Sequence, residues 1–170
     1  GLQAVRDVQD DIIAENAWCF DAGEIYDLGL FDQVHLDDAG FLNAAQRNAA
    51  SILEYKNVTS GGATGPEIIN ATRSGSTVTV TLSHDTGDNF TPTTSIEGFV
   101  FFDGTNQISV TNAVQTDTTT ITLTLASTPT QTEETLYYGY DDMNGINTNN
   151  IVRDNSSSQM PLRTIKISVN

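Results

Sequence analysis

Apolar positions along the chain change their period near residue 60. Before it, Leu2, Val5, Val8, Ile12 and Ile13 recur at helical spacing with Asp7, Asp10, Asp11 and Glu15 on the other positions. That spacing predicts an amphipathic helix from Gly1 to about Asn16. The run Ala17-Trp18-Cys19-Phe20 has the length and bulk of a short buried strand. Asp37 or Asp38 stands where an N-cap belongs, and Phe41, Leu42, Ala45, Ala49, Ile52 and Leu53 form one stripe, which predicts a second helix from about Ala39 to Tyr55. Helix, strand, loop, helix is the order of an α/β unit. One strand cannot make a parallel sheet, however, so such a segment would need a partner surface for its apolar helix faces.

Ser60-Gly61-Gly62-Ala63-Thr64-Gly65-Pro66 is a Gly-rich break. Beyond it the period becomes two: Val78, Val80 and Leu82 alternate with threonines, as do Ile121, Leu123 and Leu125. Further runs at Phe99 to Phe102, Ile108 to Val110, Leu136 to Tyr140 and Arg163 to Val169 are separated by turn residues. This pattern predicts an antiparallel β-sandwich. The expected organisation is a helical segment over residues 1–58, a linker over 59–66 and a sandwich over 67–170.

Charge narrows the classes of function. Among 170 residues, 7 Lys and Arg face 22 Asp and Glu, a formal charge of -15. A surface of that sign repels phosphate backbones and anionic lipid, so no nucleic-acid partner is expected. No apolar run reaches the ~18 residues of a spanning helix, and no basic start precedes an apolar signal core, so no membrane insertion is expected either. The single cysteine, Cys19, lies in an apolar run and is read as a buried, inert thiol. The first residue is Gly1 and already sits in a helical pattern, which leaves open whether a further portion precedes it. Dinucleotide, P-loop, CxxC and HExxH patterns are absent, and no cofactor is expected.

Phe31-Asp32-Gln33-Val34-His35-Leu36-Asp37-Asp38-Ala39-Gly40-Phe41 is the segment richest in chemistry. An Asp three residues before a His, in a loop leading into a helix, lets the carboxylate fold back on one ring nitrogen while the other faces a reaction site. The same pair also fits a plain loop histidine capped by a neighbouring acid. The wider context, with Gly40 and an Ala-rich helix carrying Asn43, Arg47 and Asn48, resembles the C-terminal end of SGNH (GDSL-type) hydrolases, including sialate O-acetylesterase-like enzymes. The resemblance implies that Asp32 and His35 complete a catalytic triad. It also implies a fold class of α+β: a helix-strand-helix remnant of an α/β SGNH domain followed by an antiparallel β-sandwich. The family's Gly-Asp-Ser-type nucleophile motif is missing, since no serine precedes Ser51.

Gly65-Pro66-Glu67-Ile68, Arg73-Ser74-Gly75, Gly98-Phe99, Tyr138-Gly139-Tyr140, Arg153-Asp154-Asn155 and Met160-Pro161-Leu162 resemble the sandwich appended to such proteins, phage-encoded ones among them. There it implies an accessory domain for packing, attachment or assembly. Tyr137, Tyr138, Tyr140 and Phe99 would stack on carbohydrate where exposed, although core packing is expected for most of them. His84 is read as a surface turn residue. The acidic turns His84-Asp85-Thr86-Gly87-Asp88-Asn89 and Asp141-Asp142-Met143-Asn144-Gly145 fall short of a calcium-loop pattern, so no metal is expected.

Three functions follow. The first is a non-catalytic structural or attachment module, extracellular or on a virion surface, working as a homo-oligomer or within a larger assembly. The second is the C-terminal portion of an active carbohydrate O-acyl esterase whose serine lies upstream, with His35 as base and Asp32 as its orienter. The third is a sandwich that binds glycan directly.

Overall fold

The computed structural model describes residues 2–32, 35–140, 147–156 and 158–170. Two helices come first, α1 (Leu2–Glu15) and α2 (Asp38–Tyr55). The strands follow: β1 (Glu67–Ser74), β2 (Thr77–Ser83), β3 (Phe90–Thr91), β4 (Phe99–Asp103), β5 (Asn106–Ile108), β6 (Val110–Asp117), β7 (Thr120–Leu125), β8 (Glu134–Tyr138), β9 (Arg153–Asp154) and β10 (Ile165–Ser168). They form two four-stranded antiparallel sheets, ordered β1-β2-β7-β6 and β10-β8-β4-β5, and a small β3-β9 pair.

Period-two patterning fixes which way each strand faces. Val78, Val80 and Leu82 of β2 are buried, as are Ile121, Leu123 and Leu125 of β7, and the register sets Val78 opposite Leu123 and Val80 opposite Ile121. In the second sheet Phe101 lies opposite Leu136 and Phe99 opposite Tyr138, all facing inward. One core joins both inner faces, and burying this apolar area is the main driving force for the fold. Gly98, at φ +103°, allows the close approach of the Tyr138 ring, which a Cβ would meet at 2.8 Å.

The sheets are also joined at an edge. Arg73 of β1 forks onto Glu134 of β8 at 2.6 and 2.5 Å. Beyond β10, Asn170 bonds β1 in both directions, donating to the Ala71 carbonyl and accepting from the Arg73 amide, each at 3.0 Å. Deep in the core, the Tyr138 hydroxyl accepts from the Val152 amide at 2.9 Å. Tyr138→Phe is expected to leave that buried N–H without its partner and cost about 1–3 kcal/mol. A lower urea midpoint at unchanged m-value is the readout.

The helical half corrects the expected fold class. The chain is mixed and sheet-rich, without the α+β helix-strand-helix unit. Ala17–Phe20 forms no strand: the Cys19 amide closes a turn onto the Asn16 carbonyl at 2.8 Å, and Trp18 is 74% exposed. Among the described residues no neighbouring strand offers a ladder there, and a strand without one has nothing to satisfy its backbone. Cys19 is half-exposed and not a core thiol. The helices lack a sheet beneath them, so Val5, Val8, Phe41, Leu42, Ile52 and Leu53 all remain exposed.

This half is bound to the sheets by Arg6 of α1, which donates to the Gly139 carbonyl, and by the segment between the helices. Leu28 is buried, and Tyr26 packs on the core cluster and donates its hydroxyl to the Leu162 carbonyl at 2.6 Å. Glu24 accepts from both the amide and the hydroxyl of Thr164.

Candidate functional site

The loop between the helices is folded back on itself before α2 begins. Leu30 and Leu36 form an antiparallel bridge, the Phe31 amide donates to the His35 carbonyl at 2.8 Å, and the Asp37 amide donates to the Gly29 carbonyl at 3.0 Å. Asp37 then caps α2, its carboxylate accepting from the Gly40 amide at 2.7 Å. This anchoring fixes both ends of the segment that carries the two residues singled out by the sequence.

Asp32 and His35 are brought together. One Asp32 oxygen accepts from the His35 amide at 2.7 Å, and the other lies 2.8 Å from His35 Nδ1. An ionised carboxylate only accepts, so in that bond Nδ1 carries the proton. In neutral imidazole Nε2 is then an acceptor, the tautomer a general base requires. The pair is open to solvent, the side chains being 72% and 48% exposed. The same geometry is what a loop histidine capped by its neighbour adopts; a reacting partner for Nε2 distinguishes the two.

That partner is not Ser51, which is buried inside α2. It lies thirteen residues beyond Asp38, roughly 20 Å along the helix axis at 1.5 Å per residue. Among the described residues no other side chain is hydrogen-bonded to the His35 ring, and no group of three or more His, Cys, Asp or Glu is arranged to hold a metal. The Asp141–Gly145 turn falls outside the described residues.

His84 is half-buried, unlike the surface residue expected. Its ring stacks on Phe90 at 4.1 Å, Nε2 donates to the Thr118 carbonyl at 2.7 Å, and Nδ1 lies 3.4 Å from Asp154. Asp154 is fully buried and accepts from the amides of Asp85, Gly87 and Ser156. Burial pushes its carboxyl up, but those hydrogen bonds outweigh it and hold the group below the ordinary carboxylate value. This assembly pins the loop after β2 to β9.

One charged cluster leaves almost no mark on the sequence. Asp27, 2% exposed, receives Arg47 of α2 bidentately at 2.5 and 2.8 Å and Arg153 of β9 at 2.6 Å. Arg47 also donates to the Glu24 carbonyl. The three charges form the floor of a cleft of about 510 Å³ between α2 and the segment around Met160. The only hint in the sequence is a lone Arg in an Ala-rich helix of a base-poor chain.

No family model and no curated protein matches the sequence. Among solved structures, a carbohydrate acetylesterase from Xanthomonas citri, XAC1771, aligns with a TM-score of 0.57 at 12% identity, over 83% of this chain and 31% of that one. At that identity the likeness is one of fold. The N-terminal part of the bacterial S-layer protein SbsC aligns at TM-score 0.46 and 13% identity over 79% of this chain and 29% of that one. SbsC domains 1–6 align at 0.46 and 15% over 98% and 23%. This chain therefore spans less than a third of the length of each of these structures. Among the described residues no helix is long and apolar enough to cross a membrane.

Proposed function

We propose that this chain is the part of a carbohydrate O-acyl esterase that carries the His35–Asp32 pair, with the seryl nucleophile supplied by a segment outside the 170 residues. The observation that carries the reading is the 2.8 Å contact by which Asp32 holds Nδ1 of an exposed His35 ring, leaving Nε2 as the acceptor. Three things support it. The fold is shared with part of a carbohydrate acetylesterase, the dyad matches the Asp-x-x-His of SGNH-type hydrolases, and the exposed apolar residues of α1 and α2 are faces that a further domain would cover.

The step assigned to this chain is proton transfer. His35 Nε2 takes the hydroxyl proton as the serine attacks the ester carbonyl, and later returns it to the departing sugar oxygen. Asp32 holds the ring by Nδ1 and favours the imidazolium formed in between. Acyl groups on an extracellular polysaccharide are the proposed substrate.

Fluorophosphonate labelling of the full-length natural protein tests this directly. One serine outside residues 1–170 is expected to be labelled, and more slowly in His35→Ala. No labelled serine, or a labelled serine within these residues, would refute it. A second reading, the non-catalytic attachment module, is favoured by the hydrophobic core, which is built almost wholly from the sheets and does not need the dyad.

A further inference from the structure

The outer face of the sheet β10-β8-β4-β5 carries an aromatic group that strand alternation alone does not produce. Phe102 of β4 and Tyr137 of β8 point outward, their neighbours Phe101 and Tyr138 being buried, and their rings meet edge to face at 5.6 Å. By alternation Tyr140 would turn inward after Tyr138. Gly139 interrupts the pattern at φ +70°, and Tyr140 packs instead against Phe102 at 5.3 Å and Tyr137 at 4.7 Å. All three rings are partly exposed. The Lys166 ammonium lies 5.8 Å from the Tyr137 ring centroid.

Tyr140 also walls a cleft of about 500 Å³, within the size range of small-ligand sites. The cleft runs from Val100, on the same outer face, to Ser95, Glu97, Thr111 and Asn112. Its polar groups are hydroxyl and amide, with one charge. That charge, Glu97, is held on both oxygens, by the Asn150 amide nitrogen at 2.8 Å and the Asn147 backbone N–H at 3.0 Å. Among the described residues no cation lines the cleft, Lys166 lying outside it against the Tyr137 ring, and the chain bears a formal charge of -15, so an anionic ligand gains little from this surface while an uncharged one meets no penalty.

Aromatic rings beside uncharged hydrogen-bonding groups match the two faces of a pyranose, C–H surface and hydroxyl rim. We infer that Tyr140, Tyr137 and Phe102, with Asn112 and Thr111, form a binding site for a neutral polysaccharide. This site works without the His35 chemistry, so either can fail while the other stands.

Affinity electrophoresis of the full protein through gels containing arabinoxylan, galactomannan, mixed-linkage β-glucan or polygalacturonate tests it. At least one neutral polymer is expected to retard the protein. Tyr140→Ala and Tyr137→Ala are expected to weaken that retardation about tenfold, equivalent to about 1.4 kcal/mol, while Trp18→Ala, an exposed aromatic outside the cleft, leaves it unchanged. Asn112→Ala, an exposed residue of β6, is expected to weaken it severalfold and serves where a tyrosine variant loses its native circular dichroism. No retardation by any neutral polymer, retardation by polygalacturonate alone, or wild-type retardation of the folded variants overturns the inference.

Discussion

Ester turnover by the full-length protein is expected to fall about 10²- to 10⁴-fold in His35→Ala, the range that a positioned general base contributes. The loss should appear in kcat with KM nearly unchanged, because proton transfer is made in the transition state and not in substrate binding. Asp32→Asn is expected to lose less. Its carboxylate is half open to water, where screening weakens its hold on a developing imidazolium, and what remains is the orientation of the ring through Nδ1. Fluorophosphonate labelling should slow in the same order, since it draws on the same base. Turnover of acetylated polysaccharide by His35→Ala within twofold of wild type would leave the dyad a structural cap on the loop before α2.

Asp27→Ala is expected to be the most destabilising single change in the helical half. It removes the carboxylate between Arg47 and Arg153, whose side chains are 12% and 21% exposed, and leaves two guanidiniums facing one another out of water. Breaking a buried ion pair from one side costs about 3–5 kcal/mol. Urea unfolding reads that loss, and Asp27→Asn, which keeps an acceptor oxygen, should fall between the two. The same residue sets an acid limit. Burial pushes the Asp27 carboxyl up, yet hydrogen bonds from Arg47 and Arg153, and then their charges, outweigh it and hold the group below the ordinary value. A depressed folded-state value means stability that is fully present above the unfolded value of about 3.9 and is lost as pH falls through the lower folded one. The thermal midpoint of the wild type should therefore drop in that window, and more steeply than that of Asp27→Asn. Parallel curves would remove Asp27 from the acid response.

Elements whose signal is local are legible in the sequence itself. The threonine-alternating strands carry their facing in a period of two, and β2 and β7 need only that to present Val78, Val80, Ile121 and Leu123 inward. Asp32 and His35 stand out because they are three positions apart and a loop closes that distance by itself. The Asp27 cluster does not, because its partners stand 20 and 126 positions away and nothing local marks a carboxylate destined for burial. Ala17–Phe20 misleads for a related reason: four apolar residues suit a strand only where another strand lies alongside, and here none does. Tyr140 misleads by parity, since one left-handed glycine turns it to the opposite face from the one alternation assigns.

Near its end the chain is held on two sides at once. Hydrogen bonds run perpendicular to strands, and β10 is laddered to β8 while Asn170 is bonded to β1. Tension applied at residue 170 along the strand would load both sets together in shear, so they would have to break at the same moment and could not unzip one by one.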